Sequence, residues 1–341
     1  MTTYYGLYGQ KVQYLASDPT DVQIGQVWYN STSATLKVRN ATTVGAWATG
    51  GNLGTKVYGN AMAGTQTAAL SFGGNPYPPP STTRSEKYDG TSWTATNAMN
   101  TARYYLGGFG TQTAALGVGG YLTPGGKTAA TESWNGTSWT SNPTGLNTAR
   151  FNIQGSGIQT AGIVAGGDIY PPAPAPRTSG AVELYNGTSW TSTTSLNTAR
   201  RNNGQVGPST SALVFGGFID FTPTSISTAT ESWNGTSWTT VASLPQAKWN
   251  LGSAGTQTAA LGFGGSTTSA GGPPNNSTIS WDGSAWSVLP ATLATTRQSI
   301  KGVGTQSAAI GAGGYVTPGT TTATEEFTGA GAAQTQTVTV S

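Results

Sequence analysis

The chain has 341 residues, with 15 Lys+Arg, 12 Asp+Glu, a formal net charge of +3, and neither His nor Cys. It therefore lacks the usual general base near neutral pH, the thiolate nucleophile, the ligands of most zinc, copper and haem sites, and any disulfide. We expect no cofactor and no metal. The charges form no basic stripe, so we expect no nucleic-acid partner. The 11 Trp, 14 Tyr and 8 Phe supply enough apolar area for a folded core.

Residues 1–24 are predicted to form an N-terminal arm. They contain no basic stretch followed by an apolar one, so they do not read as a secretory signal peptide. No run of about 18 apolar residues occurs in the sequence, which argues against membrane insertion. We therefore expect synthesis in the cytoplasm and no export through a signal peptide.

Residues 25–43 are predicted to form a β-hairpin segment, and residues 44–341 a domain built from repeats. Each repeat is marked by a glycine pair that ends an apolar run. The first glycines of successive pairs lie 46, 47, 50, 48 and 49 residues apart, a period that suits a four-stranded propeller blade. The six pairs are Gly73-Gly74, Gly119-Gly120, Gly166-Gly167, Gly216-Gly217, Gly264-Gly265 and Gly313-Gly314.

The second copy shows how a blade is expected to be built. Residues 101–110 mix glycine with apolar residues, as expected for an innermost strand near a crowded axis. Residues 113–120, 131–134 and 137–140 are predicted as the second, third and fourth strands. Asn135-Gly136 between the last two predicts a tight two-residue turn, in which both central positions have positive φ.

An aromatic pair flanks this turn in five copies. We predict that these rings pack between neighbouring sheets, each burying roughly 150 to 250 Å². The alternative is a ladder of sugar-stacking tryptophans. The pairs are Tyr88/Trp93, Trp134/Trp139, Tyr185/Trp190, Trp233/Trp238 and Trp281/Trp286.

A cation begins each inner strand, and a Glu occupies most of the third strands. We favour structural pairs over an ionic binding site for these charges. The cations are Arg103, Arg150, Arg200 and Arg297, with Lys56 and Lys248 in the two other copies. The acids are Glu86, Glu132, Glu183, Glu231 and Glu325, with Ile279 at this place in the fifth copy.

The connections between second and third strands differ in length and composition from copy to copy. In a propeller they emerge on one face, so they predict a recognition surface on a rigid scaffold. The candidate binding residues are its aromatics, Tyr77, Tyr121, Tyr170, Phe218, Phe221 and Tyr315. The alternative is that each ring only holds its own loop. Asp168 and Asp220 are the acids of this face, a thin basis for a glycosidase, which needs paired carboxyl groups.

The ends of the repeat array indicate how the sheet ring closes. The sixth copy has no Trp after Gly329, whereas Trp47 precedes the first copy in a segment typical of a fourth strand. We therefore predict an all-β, six-bladed propeller with four-stranded blades, closed by the segment around Trp47. Seven blades are the alternative, built from strands around Val27, Leu36 and Trp47 plus residues 336–340.

Over roughly residues 47–327 the paired glycines, the Glu-containing strand, the aromatic before the turn and the Trp after it resemble kelch repeats. This resemblance implies a β-propeller. Galactose oxidase, a kelch-type enzyme, has a copper site that uses His and a Cys-crosslinked Tyr, and this chain contains neither His nor Cys. We expect a protein that is not an enzyme.

A second resemblance lies in residues 24–37. Their run Gly25-Gln26-Val27-Trp28-Tyr29-Asn30 is similar to a hairpin of bacteriophage tail-fibre and related virion proteins, particularly marine ones. It implies a virion or tail-fibre-like component, in the virion or outside the cell. Its partners would be a host glycan or receptor, other virion proteins, or copies of itself. The alternatives are a carbohydrate-active propeller enzyme and a self-assembling extracellular filament or lattice protein.

Overall fold

The computed structural model describes residues 12–20, 25–41, 45–77, 80–170, 177–219, 225–268, 272–330 and 333–338. These residues form strands, turns and loops, and no helix occurs among them. The chain divides into a smaller unit, Met1–Ala46 with Thr328–Ser341, and a larger unit, Trp47–Phe327. The strand that follows residue 328 pairs with the N-terminal hairpin, so this division differs at the C-terminal end from the 44–341 domain expected from sequence.

The smaller unit contains one four-stranded sheet. Its strands, in spatial order, are β1 (Gln13–Leu15), β2 (Val27–Asn30), β3 (Thr35–Ala41) and β32 (Ala333–Val338). β1 is parallel to β2, whereas β2 and β3 form an antiparallel hairpin, and β3 is antiparallel to β32. The hairpin predicted within residues 25–43 corresponds to β2 and β3.

Asp18 ties this hairpin together. Its carboxylate accepts hydrogen bonds from Asn30 Nδ2 at 2.7 Å, Lys37 Nζ at 2.6 Å and Trp28 Nε1 at 3.0 Å. These hydrogen bonds lower the pKa of Asp18 to about 2. Trp28 and Asn30 therefore stabilise the smaller unit through their hydrogen bonds to Asp18.

In the described part of the larger unit there are six four-stranded sheets, numbered here along the chain. The strand preceding the first repeat is β4 (Ala46–Thr49). Sheet 1 has β5 (Ala61–Gly64), β6 (Ala69–Phe72), β7 (Ser85–Tyr88) and β8 (Trp93–Thr96). Sheet 2 has β9 (Gly107–Gly110), β10 (Ala115–Val118), β13 (Thr131–Trp134) and β14 (Trp139–Ser141). Between β10 and β13, the pair β11 (Tyr121–Leu122) and β12 (Gly126–Lys127) forms a short hairpin.

The next three sheets repeat this pattern. Sheet 3 has β15 (Gln154–Ile158), β16 (Ala161–Ala165), β17 (Val182–Tyr185) and β18 (Trp190–Thr193). Sheet 4 has β19 (Gly204–Val206), β20 (Leu213–Phe215), β21 (Thr230–Trp233) and β22 (Trp238–Val241). Sheet 5 has β23 (Gly252–Gly255), β24 (Ala260–Phe263), β25 (Asn275–Trp281) and β26 (Trp286–Arg297).

Sheet 6 combines strands from both ends of the repeat array. It contains β27 (Lys301–Gly304), β28 (Ala308–Ala312), β31 (Thr324–Thr328) and, beside β31, the early strand β4. A second short hairpin, β29 (Tyr315–Val316) with β30 (Gly319–Thr320), lies between β28 and β31 in the chain. The ring of Trp47 on β4 packs against Phe263 and Phe327, with centroids 4.8 and 5.2 Å away. The segment around Trp47 thus occupies the sixth sheet, whereas the strands around Val27 and Leu36 belong to the smaller unit.

The first strands of the six sheets lie side by side. β5 is next to β9, β9 to β15, β15 to β19, β19 to β23, β23 to β27, and β27 to β5. Apolar side chains fill the space between adjacent sheets, as where Phe72 packs on Trp139 at 4.7 Å and Phe215 on Trp286 at 4.6 Å. The core of the larger unit is therefore divided among the sheet-to-sheet interfaces.

The tryptophan that begins each fourth strand connects its sheet to the preceding one. Trp139 Nε1 donates to Ser85 Oγ at 3.0 Å, and the ring is only 6% exposed. Such burial leaves no ring face on which a sugar could stack. The equivalent bonds join Trp47 to Thr278, Trp93 to Thr324, Trp190 to Thr131 and Trp286 to Thr230, whereas Trp238 donates to the main-chain oxygen of Thr194.

A glutamine in the turn between first and second strands supplies a second connection between sheets. Gln112 Nε2 donates to the carbonyl oxygens of Ala69 and Tyr88 in the preceding sheet, at 3.1 and 2.6 Å. Gln66, Gln159, Gln257 and Gln306 make the corresponding bonds in four other copies. A repeated amide therefore satisfies main-chain acceptors that would otherwise be buried without partners.

The turn between third and fourth strands differs from the predicted two-residue turn. Trp134 pairs with Trp139, so four residues form the loop. Gly136 has a φ of 92°, but Asn135 is not left-handed. Its Oδ1 instead accepts the N–H groups of Thr137 and Ser138 at 2.9 and 2.8 Å. The prediction failed because the Asn side chain, and not its backbone, shapes this turn.

We predict that Trp139→Ala lowers the free energy of unfolding by about 3 to 5 kcal/mol, because the change removes a buried ring and leaves a cavity between two sheets. Urea titration followed by fluorescence and circular dichroism measures the change. Thr140→Ala is the control, since Thr140 is exposed, and it should alter the free energy by less than about 0.5 kcal/mol. Equal midpoints for the Trp139 variant and the parent protein would contradict the packing role.

Candidate functional site

The repeated arginines and glutamates form buried pairs. Arg103 is fully buried, and its Nη2 lies 2.9 Å from Glu132 Oε1. Its Nη1 donates to the carbonyl oxygen of Gly119 at 2.9 Å. The other pairs are Arg150–Glu183, Arg200–Glu231 and Arg297–Glu325. These charges are part of the framework and do not face a ligand.

In the first copy the buried cation comes from a different position in the chain. Lys56, aligned with the arginines from sequence, is exposed, and the apolar Val57 occupies the buried position. The guanidinium comes instead from Arg84, whose Nε lies 3.0 Å from Glu86 Oε1 and whose Nη1 donates to Gly73 O at 3.2 Å. The assignment of Lys56 was wrong because the cation reaches this place from the third strand and not from the first.

The fifth copy has no carboxylate at this place. Lys248 Nζ donates to Gly264 O at 2.9 Å and to Asn275 Oδ1 at 3.0 Å. Ile279 stands where the other copies have Glu. Burial lowers the pKa of Lys248 to about 8.

Variable residues gather directly after these buried positions. In each repeat the residue that follows the buried cation, or Val57 in the first, forms a β-bridge with the residue that follows the glycine pair. The bridges are Tyr58–Asn75, Tyr104–Tyr121, Phe151–Asp168, Arg201–Phe218, Trp249–Ser266 and Gln298–Tyr315. All six repeats therefore contribute non-repeating side chains to one end of the larger unit.

All six repeats contribute residues to the lining of a cavity of about 520 Å³, called here the tyrosine pit. Its aromatic lining residues are Tyr58, Tyr77, Tyr105, Trp249 and Tyr315. Its polar lining residues are Asn152, Asn202, Asn250, Arg201, Gln298 and Ser299. A cavity of this size, with aromatic surface and a few convergent polar groups, has the character of a small-molecule site.

The phenols of the pit form a contiguous cluster. The Tyr58 ring is edge-on to those of Tyr105 and Tyr315, with centroids 5.6 and 6.2 Å away. Burial raises the pKa of Tyr58 to about 12, and burial also raises the pKa of Tyr105. Both phenols are therefore neutral at ordinary pH and can donate or accept a hydrogen bond.

Main-chain hydrogen bonds between neighbouring repeats lie at the base of the pit, and the six residues at this position are called here the amide ring. Each repeat contributes one residue of positive φ: Gly59, Tyr105, Asn152, Asn202, Asn250 and Ser299. Asn202 N donates to Asn152 O, and Asn250 N to Asn202 O, both at 2.9 Å, and Ser299 N donates to Asn250 O at 2.8 Å. The side chains join too, because Asn202 Nδ2 donates to Asn152 Oδ1 at 3.0 Å and to Asn250 Oδ1.

The structure brings only some of the predicted binding residues to this pit. Tyr77 and Tyr315 line it, and Tyr77 is 55% exposed. Tyr121 packs against Phe151 at 4.9 Å, beside the pit lining. Phe218 is 1% exposed and therefore serves the loop rather than a ligand.

The remaining loop-face candidates lie elsewhere. The guanidinium of Arg177 covers the ring of Tyr170, with its carbon 3.6 Å from the ring centroid. Asp168 is fully buried and pairs with Arg201. Phe221 and Asp220 lie outside the described residues.

Sequence reasoning missed Tyr58, Tyr105 and Trp249. They stand next to repeated residues, so they read as parts of the inner strands. The signal was present, however, because the two positions after the buried cation, or after Val57, vary from copy to copy. The first is Tyr, Phe, Arg, Trp or Gln, and the second is Gly, Tyr, Asn or Ser.

No protein-family model matches this chain, and no significant match is found among curated proteins. The resemblances to kelch repeats and to tail-fibre hairpins therefore stay predictions. In the described part of the chain, no helix has the length and apolar character needed to cross a bilayer.

The buried Lys248 and the half-buried Lys301 make the free energy of unfolding depend on pH in the alkaline range. Burial lowers the pKa of Lys248 and of Lys301 from 10.5 to about 8. Between these values the unfolded chain binds more protons than the folded one, so we expect the free energy of unfolding to rise from about pH 8 to about pH 10. Above about pH 10 the free energy of unfolding should fall. Tyr58 has a pKa of about 12 in the folded protein, so in this range its phenol keeps its proton when folded and loses it when unfolded.

Urea titrations between pH 7 and pH 11 measure this profile. Lys248→Met combined with Lys301→Met should abolish the rise, whereas Lys56→Met, at an exposed position, should preserve it. A free energy of unfolding that already falls from pH 8 in the parent protein would contradict this prediction.

Proposed function

We propose that this chain is a non-enzymatic recognition protein whose larger unit is a closed six-bladed β-propeller that binds a glycan in the tyrosine pit. The observation that carries the proposal is the pit itself. Its aromatic rings and amides come from the non-repeating positions of an otherwise repetitive framework.

Three sets of contacts support the closed ring. The first strands follow one another in cyclic order, with β27 beside β5. Trp93 in sheet 1 donates to Thr324 in sheet 6, at 2.9 Å. Gln66, after sheet 1's first strand, donates to Ala309 O and Phe327 O in sheet 6, at 3.2 and 2.8 Å. The junction between the last and first repeats thus repeats the junctions between the others.

The early strand gives a direct test of this closure. If β4 completes the sixth blade, Trp47→Ala should lower the free energy of unfolding by about 3 kcal/mol, because its ring packs on Phe263 and Phe327. Differential scanning calorimetry and urea titration measure the loss, with Ala48→Ser on the exposed side of the same strand as the control. A Trp47 variant as stable as the control would argue against closure through β4.

The chemistry of the pit suits a sugar. Aromatic rings match the apolar C–H face of a pyranose, while amide and phenol groups match its hydroxyls. Gln298 Oε1 is buried at the pit without a hydrogen-bond partner among the described residues. A ligand hydroxyl would satisfy this acceptor.

The charges around the pit favour binding over hydrolysis. Among the described lining residues, Arg201 is the only charged one, and it pairs with the buried Asp168. A glycosidase needs two carboxyl groups placed on either side of the scissile bond. The described lining supplies none.

Variants of two exposed tyrosines on variable loops show whether the glycan binds in the pit or at the loop tips. Tyr77 lines the pit and Tyr170 does not. Tyr77→Ser should weaken glycan binding about tenfold or more, because a stacking ring at the pit is lost. Tyr170→Ser should leave binding unchanged, since Tyr170 stacks on Arg177 away from the pit lining. A glycan array identifies the ligand, and isothermal titration compares the variants. Stronger loss in the Tyr170 variant would place recognition on the loop tips.

We further propose that the protein is a virion or tail-fibre-like component, as the Gly-Gln-x-Trp-Tyr-Asn hairpin implies. The support is that resemblance together with the organisation of the chain, in which the hairpin belongs to a compact unit distinct from the repeats. In such a component the smaller unit would serve attachment to other subunits and the larger unit recognition. Labelling purified particles with antibodies against each unit tests this assignment.

A further inference from the structure

The tyrosine pit is closed at its base by two layers. The first layer is the amide ring, where the Asn152, Asn202 and Asn250 side chains bond to one another. The second is a hydrogen bond from Lys301 Nζ to Gln154 Oε1 at 2.6 Å. Lys301 is on β27 and Gln154 on β15, strands that are not neighbours, so this bond crosses the space between the first strands.

The hydrogen bond between Lys301 and Gln154 is not a repeated feature of the sheets. Residues at the equivalent positions of the other sheets are small, namely Ala61, Gly107, Gly204 and Gly252. Small residues alone would leave an open passage along the axis. Instead, a separate cavity of about 280 Å³ lies on the far side, lined by Gln154 and the later residues of the first strands. It shares no lining residue with the pit.

All six repeats contribute residues to the lining of the pit. In four repeats these include a residue of the β-bridge, and in the other two they are Tyr105 and Asn152. A groove for a continuous polymer needs two openings, one for each direction of the chain. A cavity lined by all six repeats and closed at its base has a single mouth.

We propose that the pit accepts the terminal one to three sugars of a glycan and excludes internal segments of the same chain. This inference rests on the proposed function, because it concerns which part of a glycan fits the site. The terminal sugar stacks on the tyrosines near the mouth and hydrogen-bonds through its hydroxyls to the Asn side chains of the amide ring. A residue extended at both ends cannot reach that ring without driving one arm into the wall.

The test is a printed array of mono- to hexasaccharides in which each determinant occurs once at the chain end and once inside a longer chain. We expect binding to the terminal form and a loss of about tenfold or more when the same determinant is extended. Isothermal titration with the best free oligosaccharide then compares Asn202→Gly with the parent protein. Glycine suits this position, because Asn202 has a φ of 53° and Gly59 holds the equivalent place in sheet 1 at 60°.

Asn202→Gly should weaken binding about tenfold while its unfolding transition stays near that of the parent, since the ligand loses hydrogen bonds at the base of the pit. Asn97→Gly, at an exposed position outside the pit, is the matched control and should bind normally. Equal binding of terminal and internal forms would overturn the inference and leave the proposed function standing. A normal affinity of the Asn202 variant, together with weakened binding by the Tyr77 variant, would also overturn the inference and leave the proposed function standing. Failure of the parent protein to bind any glycan would overturn the proposed function, and this inference with it.

Discussion

The fold depends on one buried residue at each point where the chain passes from one sheet to the next. In the second repeat Arg103 holds this junction, since its carbonyl oxygen accepts the N–H of Gly74 in the preceding sheet at 2.9 Å, while its guanidinium binds Gly119 O and Glu132 in its own sheet. The other oxygen of Glu132 accepts the N–H of Asn100 in the crossing segment at 2.7 Å. One side chain pair thus connects two sheets and the chain between them.

The same carbonyl bond recurs at the other junctions. It runs from Gly120, Gly167, Gly217, Gly265 and Gly314 to Arg150, Arg200, Lys248, Arg297 and Val57, respectively. The glycine pair follows from this contact, because Gly119 has a φ of 58° and a Cβ there would lie 2.6 Å from the carbonyl oxygen of Arg150.

The variations at this junction show which part of it the fold requires. Buried carbonyl oxygens need a donor, and Arg supplies several but stays charged, so it requires the neighbouring carboxylate. The fifth copy has Ile279 where the carboxylate would be, and its cation is Lys248, whose pKa burial lowers to about 8. A lysine can lose its proton and remain a donor, whereas an arginine cannot. The hydrogen bonds to the main chain are therefore the constant requirement, and the ion pair is the means of keeping an arginine in an apolar interior.

The strand order of the larger unit could be read from the sequence because each repeat satisfies its own local rules. The apolar runs, the glycine pairs and the aromatic before each turn mark the strands, and the position of Trp47 indicates a strand that joins the last sheet. Sites where an unexpected group forms a turn or a buried ion pair could not be predicted in the same way. Asn135 forms its turn through Oδ1 and not through a left-handed backbone. Arg84, beside the third strand, supplies the cation that was expected at the start of the first strand.

The pit was missed for a related reason, because it exists only where six distant segments meet, and no single repeat contains it. Its amide ring uses the tolerance of Asn for positive φ, a local property whose consequence is visible only once the first strands are side by side.

The position of the pit residues explains how a repetitive framework can present a specific site. Arg201 and Gln298 each follow a buried arginine directly, and Trp249 follows the buried Lys248, so their main chain is held by the junction that also joins the sheets. A side chain one residue from a fully buried guanidinium has little main-chain freedom left to lose when a ligand binds. Tyr170 lies further along its loop, and there a local partner, Arg177, covers the ring. Variation at the anchored positions therefore changes the chemistry of the site without changing its geometry. The same framework can present a different set of aromatic and amide groups after substitutions at the position that follows each buried cation, while the main-chain hydrogen bonds of each junction are retained.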